Sequence, residues 1–436
     1  REGDCGACTV IIGSLQKSNI VYKTVNSCLT PAASLEGKHL VTIEGLNQDG
    51  LNIIQKNMIV EGGTQCGFCT PGFILSITNY FLTHSSYNID EAVESLSGNI
   101  CRCTGYEGIK RTVKNVLGRI DNENNNEKSQ IDFLVKIGIL PEYFLSIPGM
   151  IKKINKIKPG GANKKNKLDE KYLVSGGTDL YVQKWEELYN SEINLISAKE
   201  ELKEIKIAGK KIIIGGAVTI EEFRNSTIIQ KHFTELKEYL KLFGSLQIRN
   251  RATIAGNIVN ASPIADGTNI LIALGASVVV KGGKKKRNIL LKDFFLGYKK
   301  LDLKPGEYIE AVILEAPPKN YRFNYEKISR RMHLDIASVN SSVYIEEKKN
   351  IIKKINLSAG GIAPVPKFLE KTCSFLTGKE ITIESVKKAA EIALTEISPI
   401  SDARGSAEYK SLLLRQIILA HFLKLFPGLK EEGVAK

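Results

Sequence analysis

Cys66, Cys69, Cys101 and Cys103 stand as T-Q-C-G-F-C-T-P-G and G-N-I-C-R-C-T-G-Y, and no other feature restricts the fold of this chain as tightly. D-C-G-A-C-T supplies Cys5 and Cys8, and N-S-C-L-T-P supplies Cys28, so seven of the eight cysteines fall within the first 103 residues. Only Cys373 lies outside this group. Thiolates close together in sequence can converge on one metal centre, and two such pairs complete a four-sulfur shell. The spacing of the second group alone leaves both zinc and an iron–sulfur cluster open.

The first group narrows the choice. A C-x2-C pair followed by a lone cysteine is the tail of the plant-type ferredoxin pattern C-x4-C-x2-C…C. The opening cysteine of that pattern would fall one residue before Arg1, so the chain reads as truncated at its N-terminus, with one ligand and the preceding strands lost. Disulfides do not suit a long, lysine-rich chain with no signal segment, which points to a reducing compartment.

At 436 residues the chain is long enough for about three domains and more than one core. Its 61 Lys+Arg against 47 Asp+Glu give a net charge of +14, a sign that can attract nucleic acid or an anionic membrane. The charge is scattered, however. Its one dense run, K-G-G-K-K-K-R at 281–287, lies between two strand-like segments and reads as a solvated hairpin turn. No motif of a nucleic-acid-binding module is present. No apolar stretch approaches the roughly 20 residues needed to span a bilayer. The expectation is a soluble, cytoplasmic protein without nucleic-acid or membrane partners.

Segments 8–13, 19–25 and 39–46 alternate or run apolar at strand length. From Leu51 the period changes, and 52–60, 71–82, 90–96 and 108–120 read as helices, with Pro71 in a first turn and Asp90 as a cap. The polar, aperiodic run 121–130 reads as a linker. Beyond it there is no G-x-G-x-x-G fingerprint. Instead, Y-L-V-S-G-G-T-D-L at 172–180 places two glycines after a strand, where backbone N–H groups can point at a pyrophosphate. R-A-T-I-A-G-N-I-V-N-A-S-P-I-A-D at 251–266 combines a glycine with Thr, Asn, Ser and Asp. Singly, each reads as an ordinary glycine turn. Paired behind two cysteine groups, they become a flavin-site candidate.

These motifs, with K-I-S-R-R and D-A-R-G-S-A-E-Y after them, occur in one order along the chain. In that order the chain resembles the small iron–sulfur and FAD subunit of bacterial xanthine dehydrogenases, in the molybdenum hydroxylase family. The resemblance implies a multidomain α+β protein. Its parts would be a β-grasp plant-type 2Fe–2S ferredoxin domain, incomplete at its N-terminus, at 1–46, and a helical 2Fe–2S domain at 47–120. A linker at 121–141 would lead to an α+β FAD-binding domain of the vanillyl-alcohol-oxidase type at 142–318 and a C-terminal α+β flavoprotein domain at 319–436. Residue by residue, Cys66, Cys69, Cys101 and Cys103 would hold the cluster nearest a molybdenum centre, with Gln65 reaching toward the pterin. Cys5, Cys8 and Cys28 would be three of four ligands of the second 2Fe–2S cluster. The FAD pyrophosphate loop would be Val174, Ser175, Gly176, Gly177, Thr178, Asp179 and Leu180. Thr253, Gly256, Asn257 and Asp266 match a second FAD segment, Phe243 an aromatic beside the cofactor, and Lys327 a cation near the flavin. Asp266 would accept hydrogen bonds from ribose hydroxyls or adenine amines, and Asp335 would sit in an acidic loop beside the flavin.

The implied function is electron transfer from a molybdopterin-binding large subunit, in a heterotetramer, through the clusters and FAD to NAD. No residue of this chain would act as a catalyst of substrate hydroxylation. The partner would oxidise xanthine or hypoxanthine, or, in a sister enzyme, an aldehyde, nicotinate or an aromatic thioester. Outside enzymes, the alternative is a zinc-clustered interaction module. The histidines, His39, His84 and His333 among them, fit no catalytic pattern, and structural roles are expected for them.

Overall fold

The computed structural model describes residues 1–17, 19–121, 127, 129–156 and 172–430. They divide into two compact units. The first holds the described residues up to 156 together with 177–189 and 245–251; the second holds 172–176, 190–244 and 252–430.

In the first unit, strands Thr9–Gln16, Asn19–Asn26 and His39–Val41 form an antiparallel sheet with Thr9–Gln16 at its centre. Gly13 faces Tyr22 across this ladder, and a Cβ on Gly13 would stand 2.5 Å from the Tyr22 ring, so the ring can pack there only against glycine. The strand read over 39–46 stops at Val41. Ile43–Leu46 turns into a 3-10 helix whose Leu46 plugs the core. Helix Ile53–Val60 begins at a reciprocal cap, in which Asn52 accepts the Gln55 N–H and the Gln55 side chain accepts the Asn52 N–H. Helices Thr70–Thr83, Ile89–Glu94 and Glu107–Ile120 follow. Ile89–Glu94 is capped by Asn88, whose Oδ1 takes the Asp90 and Glu91 N–H groups, rather than by Asp90. Asp90 instead lies in the first turn, where its charge suits the helix dipole.

The expected linker is only partly within view. Residues 122–126 and 128 lie outside the described set, whereas Gln130–Lys136 is a helix capped by Ser129, with Phe133 and Leu134 buried. The polar run hid this helix, because its apolar face is only one turn long. The buried set runs from Ile11 and Tyr22 in the sheet through Phe73, Phe81 and Val113 to Phe144 as one core.

The second unit carries a five-stranded antiparallel sheet in the order Ile205–Ala208, Lys211–Gly215, Tyr308–Glu315, Ser277–Gly282, Lys285–Leu290. A short parallel pair joins Tyr172–Val174 to Ile193–Leu195. The basic run at 281–287 is a hairpin, as expected, with Lys284, Lys285 and Lys286 exposed around its turn. Lys281 and Lys286 both reach Glu310, and Arg287 reaches Asp302 and Glu307. These three carboxylates offset part of its charge.

A four-stranded antiparallel sheet, Tyr321–Ile328, Val339–Lys348, Ile351–Gly360 and Lys367–Phe368, completes the unit. Helices Glu370–Leu376, Ile383–Leu394 and Ala407–Leu425 share its core, in which Val343, Leu357, Ala389, Leu414 and Ile418 are buried. The whole is multidomain and α+β. Among the described residues no helix is long and apolar enough to cross a membrane.

Candidate functional site

In the first unit the cysteines sit at the mouths of tight turns. Gly6, between Cys5 and Cys8, has φ +69°, and a Cβ there would stand 2.2 Å from the Gly98 carbonyl oxygen. Thr9 donates to the Gly6 carbonyl through N–H and hydroxyl. Asn99 donates to the same carbonyl at 3.1 Å and accepts from Ser76 at 2.7 Å and Gln247 at 3.1 Å, all four groups being buried. The Ile100 N–H donates to the Cys5 carbonyl at 2.9 Å. One peptide hydrogen bond thus ties a residue of the first cysteine group to the residue preceding Cys101.

Ser27 donates its N–H to the Cys8 carbonyl at 3.1 Å, which sets Cys28 against Cys8. The facing Cys28 thiol brings the Cys8 thiol down to about 5 despite burial, while Cys8 and burial push Cys28 up. Cys66 and Cys69 flank Gly67 (φ +84°) just before helix Thr70–Thr83, with Pro71 in its first turn. Burial, then Cys101, pushes the Cys69 thiol up to about 12. Burial raises Cys101 too, but Thr104 outweighs it by donating from hydroxyl (3.1 Å) and N–H (3.4 Å) to the sulfur, and Cys101 falls to about 7. Cys103 is raised by Cys66 opposite it. The four thiols therefore meet as two pairs, Cys69 with Cys101 and Cys66 with Cys103, each pair sensing a member of the other.

This pairing tests the donor set. A 2Fe–2S cluster takes two protein ligands on each of two irons, whereas structural zinc draws four onto one point. Among the described residues no three His, Cys, Asp or Glu side chains close around a single ion. Two pairs of thiols suit the dinuclear cluster. Cys101 is 7% exposed, whereas Cys66, Cys103, Gln65 and Phe68 face outward. Cys373 is a core residue whose sulfur accepts the Leu357 N–H.

In the second unit the residues expected around a flavin converge from four stretches of sequence. Ser175 follows strand Tyr172–Val174, and its hydroxyl accepts from Thr253 at 2.9 Å. Thr253 caps helix Ile254–Val259 and accepts the Gly256 N–H at 3.1 Å. A Cβ on Gly267 would stand 2.9 Å from Asn257 Oδ1 and 3.4 Å from the Phe243 ring, which places Phe243, Asn257 and the Asp266–Gly267 step together. Ala261, between the last two, takes φ +49°, a strained value for a residue with a Cβ. Asn257 Oδ1 is held by the N–H and hydroxyl of Thr268.

Asp266 and Lys327 depart from their expected environments. Asp266 Oδ1 accepts from Tyr325 Oη and Asn340 Nδ2, both at 2.6 Å, and Oδ2 accepts from Lys327 Nζ at 2.7 Å. Three of a carboxylate's roughly four acceptor positions are filled by the protein, so Asp266 chiefly binds its own fold. Lys327 is no surface lysine: its side chain is 1% exposed, and Nζ also donates to the Leu242 carbonyl at 2.7 Å. Asp335 lies in a loop that Leu334 (φ +57°) fastens to the Gly244 carbonyl, and its carboxylate accepts the Arg331 N–H. Gly177 has φ +77°, and Thr178 and Asp179 form the turn that leads into helix Leu180–Gln183. Val174 is buried, and Gly176 is buried beside it.

Sequence reasoning missed Asn99, Thr104, Gln247, Tyr325 and Asn340. Thr104 and Asn99 adjoin the C-R-C motif, and that adjacency was their signal. Asn340 opens N-S-S inside a strand with apolar residues on both sides, and three buried polar residues in a row mark a network. Gln247 and Tyr325 had none.

Comparison with known proteins agrees with this geometry. Residues 42–114 match the [2Fe–2S] binding domain, 162–317 the FAD binding domain in molybdopterin dehydrogenase, and 324–425 the CO dehydrogenase flavoprotein C-terminal domain. Xanthine dehydrogenase of Oryza sativa is 30% identical over 518 aligned residues, which cover 100% of this chain and 38% of that protein. Aldehyde oxidase 1 of Rattus norvegicus is 26% identical, covering 99% of this chain and 37% of that protein. The chain therefore spans little more than a third of these relatives. A solved carbon monoxide dehydrogenase of Hydrogenophaga pseudoflava superposes with a TM-score of 0.55 at 27% identity, covering 58% of this chain and 89% of that one. Quinoline 2-oxidoreductase from Pseudomonas putida 86 shares the fold, with a TM-score of 0.54 at 23% identity over 59% of this chain and 90% of that one. The chain carries a 2Fe–2S binding domain and an FAD-binding domain, and these relatives are oxidoreductases.

Proposed function

We propose that this chain, built from the iron–sulfur and FAD-binding domains of the molybdenum hydroxylase family, is the electron-transfer component of such an enzyme. Its partner would be a molybdopterin-binding subunit, in a heterotetramer, and its acceptor NAD. The observation that carries this reading is the meeting of Cys66 with Cys103 and of Cys69 with Cys101 as two thiol pairs. Those four side chains would hold one 2Fe–2S cluster, and Cys5, Cys8 and Cys28 would contribute to another. Ser175, Thr253, Gly256, Asn257, Phe243, Asp266 and Lys327 would line the flavin, with Val174, Gly176, Gly177, Thr178, Asp179 and Leu180 completing a pyrophosphate loop of the vanillyl-alcohol-oxidase type. When bound, the clusters supply one-electron steps and the flavin joins these to hydride transfer.

The residues themselves supply order and charge. Thr104 favours the thiolate of Cys101, the form that ligates metal. Thr253 fixes the start of its helix by accepting the Gly256 N–H and holds Ser175 through its own hydroxyl. Lys327 brings a desolvated positive charge to the Phe243 side of the pocket, where it would favour a negatively charged reduced flavin. Cys66, Gln65 and Cys103 on an outer face would meet the partner. The substrate is proposed as xanthine or hypoxanthine, from the likeness to the rice xanthine dehydrogenase along the whole chain. An aldehyde is the second reading, favoured by the likeness to rat aldehyde oxidase 1.

Cys101→Ser tests the role. With the molybdopterin partner present, substrate-to-NAD transfer is expected to be lost along with iron at that site, while NADH oxidation by a flavin-reactive dye survives. Equal loss of both activities, or zinc in place of iron in the wild-type protein, would overturn it.

A further inference from the structure

Asp266 and Lys327 are joined by more than an ion pair. Tyr325 Oη and Asn340 Nδ2 both donate to Asp266 Oδ1 at 2.6 Å, on the side of the carboxylate away from Lys327. Asn340 is secured in turn, and Tyr325 packs its ring against Tyr239. Asn340 donates to the Ile264 carbonyl at 3.0 Å and accepts from Asn269 Nδ2 at 3.0 Å; Asn269 is itself held by Ser358 Oγ, which donates to it at 2.9 and 3.0 Å. Tyr325 is 2% exposed, and Asn324, Asn340, Asn269 and Ser358 are fully buried. Such a network, satisfied throughout and away from water, holds one geometry and resists rotation of any member. Its one outlet is Lys327, whose Nζ spends one N–H on Asp266 Oδ2 and one on the Leu242 carbonyl, directly before Phe243.

We propose that Tyr325 and Asn340 are positioning residues for the flavin: by anchoring Asp266 Oδ1 they aim Oδ2 at Lys327 and so fix the ammonium group beside Phe243. This rests on the reading above that the pocket of Phe243, Asn257 and Lys327 holds FAD. Without the two donors the carboxylate turns, Lys327 loses its fixed position, and the reduced flavin loses part of its stabilisation.

The test uses the full chain loaded with FAD, comparing wild type, Tyr325→Phe, Lys327→Met and the double variant. The readouts are the FAD dissociation constant by flavin fluorescence and the flavin reduction potential. For Tyr325→Phe the expected result is FAD binding about three- to tenfold weaker, less than the full effect of a hydrogen bond to a charged group because the lost bond is within the protein rather than to FAD, and a lowered potential. Lys327→Met should lower the potential further. In the Lys327→Met background, adding Tyr325→Phe should change the potential no more, because the tyrosine acts through the lysine. An equal drop in both backgrounds, or none in either, would overturn the positioning role while leaving the flavin site in place. Failure of the wild-type chain to take up FAD would overturn both. Should Tyr325→Phe not fold, Asn340→Ala removes the other donor to Asp266 Oδ1. It is expected to lower the potential in the wild-type background and not in the Lys327→Met background, and an unchanged potential, or an equal drop in both backgrounds, would overturn the proposal.

Discussion

Single positions bear much of the burden in this chain, and Gly177 is the clearest. Its φ of +77° lies where a β-branched residue is strained. Valine there costs about 1–3 kcal/mol in backbone strain and adds bulk to a turn proposed to run along a pyrophosphate. Gly177→Val is expected to purify with less than about a tenth of the wild-type FAD, a factor of ten matching about 1.4 kcal/mol. Flavin released by acid and counted against protein decides it, and wild-type occupancy would remove Gly177 from the site. What could be read at this scale was residue type and spacing: thiols, glycines with a forced conformation, and small polar residues beside them. What could not be read was partnership. Lys327 and Asp266 are both legible as site residues, yet nothing in their separation of 61 positions shows that they bind each other, so the sequence assigns each to the ligand and neither to the other. Tyr325 and Asn340 complete that contact through pairings across a sheet, which is long-range information.

Elements were legible where a local signal marked their start, the reciprocal cap of Ile53–Val60 or the first-turn proline of Thr70–Thr83. They were misread where a tertiary contact decided the outcome: the strand ending at Val41 and the helix Gln130–Lys136 in a polar stretch. Helix Ala407–Leu425 shows a subtler case. Its buried positions, Lys410, Leu414, Ile417, Ile418, His421 and Phe422, follow helical spacing, but two of them are basic. Lys410 donates to the Ile400 carbonyl and to Asp402, both at 2.9 Å. His421 Nδ1 accepts from Asn324 at 2.7 Å, which leaves the proton on Nε2, where no partner is found among the described residues. Burial, and next the Lys424 charge, bring this imidazole down to about 3, with Glu326 nearby held between Asn324 and Lys424. The folded chain therefore refuses a proton that the unfolded chain accepts below about 6.5. The neutral histidine's full contribution is present above that pH and declines as pH falls toward 3. By pH 5 the loss is about 2 kcal/mol. Replacing His421 with glutamine, which keeps an acceptor but cannot titrate, is expected to flatten the fall in unfolding free energy between pH 7 and 5. An unchanged slope would mean that carboxylates alone set the acid limit.

At the scale of the whole molecule, the chain divides its chemistry between two compact units that sequence order does not delimit. Segments 177–189 and 245–251 belong with the cysteine-bearing unit although second-unit residues surround them in sequence. Gln247 reaches Ser76 and Asn99, and Asn250 donates to the Thr24 carbonyl. A boundary drawn from composition could not anticipate such returns, because they depend on a handful of buried amides rather than on a change of pattern. The division has a measurable consequence. The thiol pairs of Cys66, Cys69, Cys101 and Cys103 open onto a core that includes Phe73 and Val113, whereas Asp266, Tyr325, Lys327 and Asn340 tie together strands Tyr321–Ile328 and Val339–Lys348. Iron held by the thiol pairs would stabilise the first unit, and FAD held at Phe243, Asn257, Asp266 and Lys327, as proposed, would stabilise the second. For FAD at about 100 times its dissociation constant, the gain is about 2.7 kcal/mol. Hydrogen exchange followed by mass spectrometry should therefore separate the two ligands. Chelation of iron is expected to speed exchange in Thr70–Thr83 and Glu107–Ile120 and to spare the two strands, and removal of FAD is expected to do the reverse. Equal acceleration of both regions by either treatment would show that the two units unfold as one, and that each cofactor's free energy is felt throughout the chain.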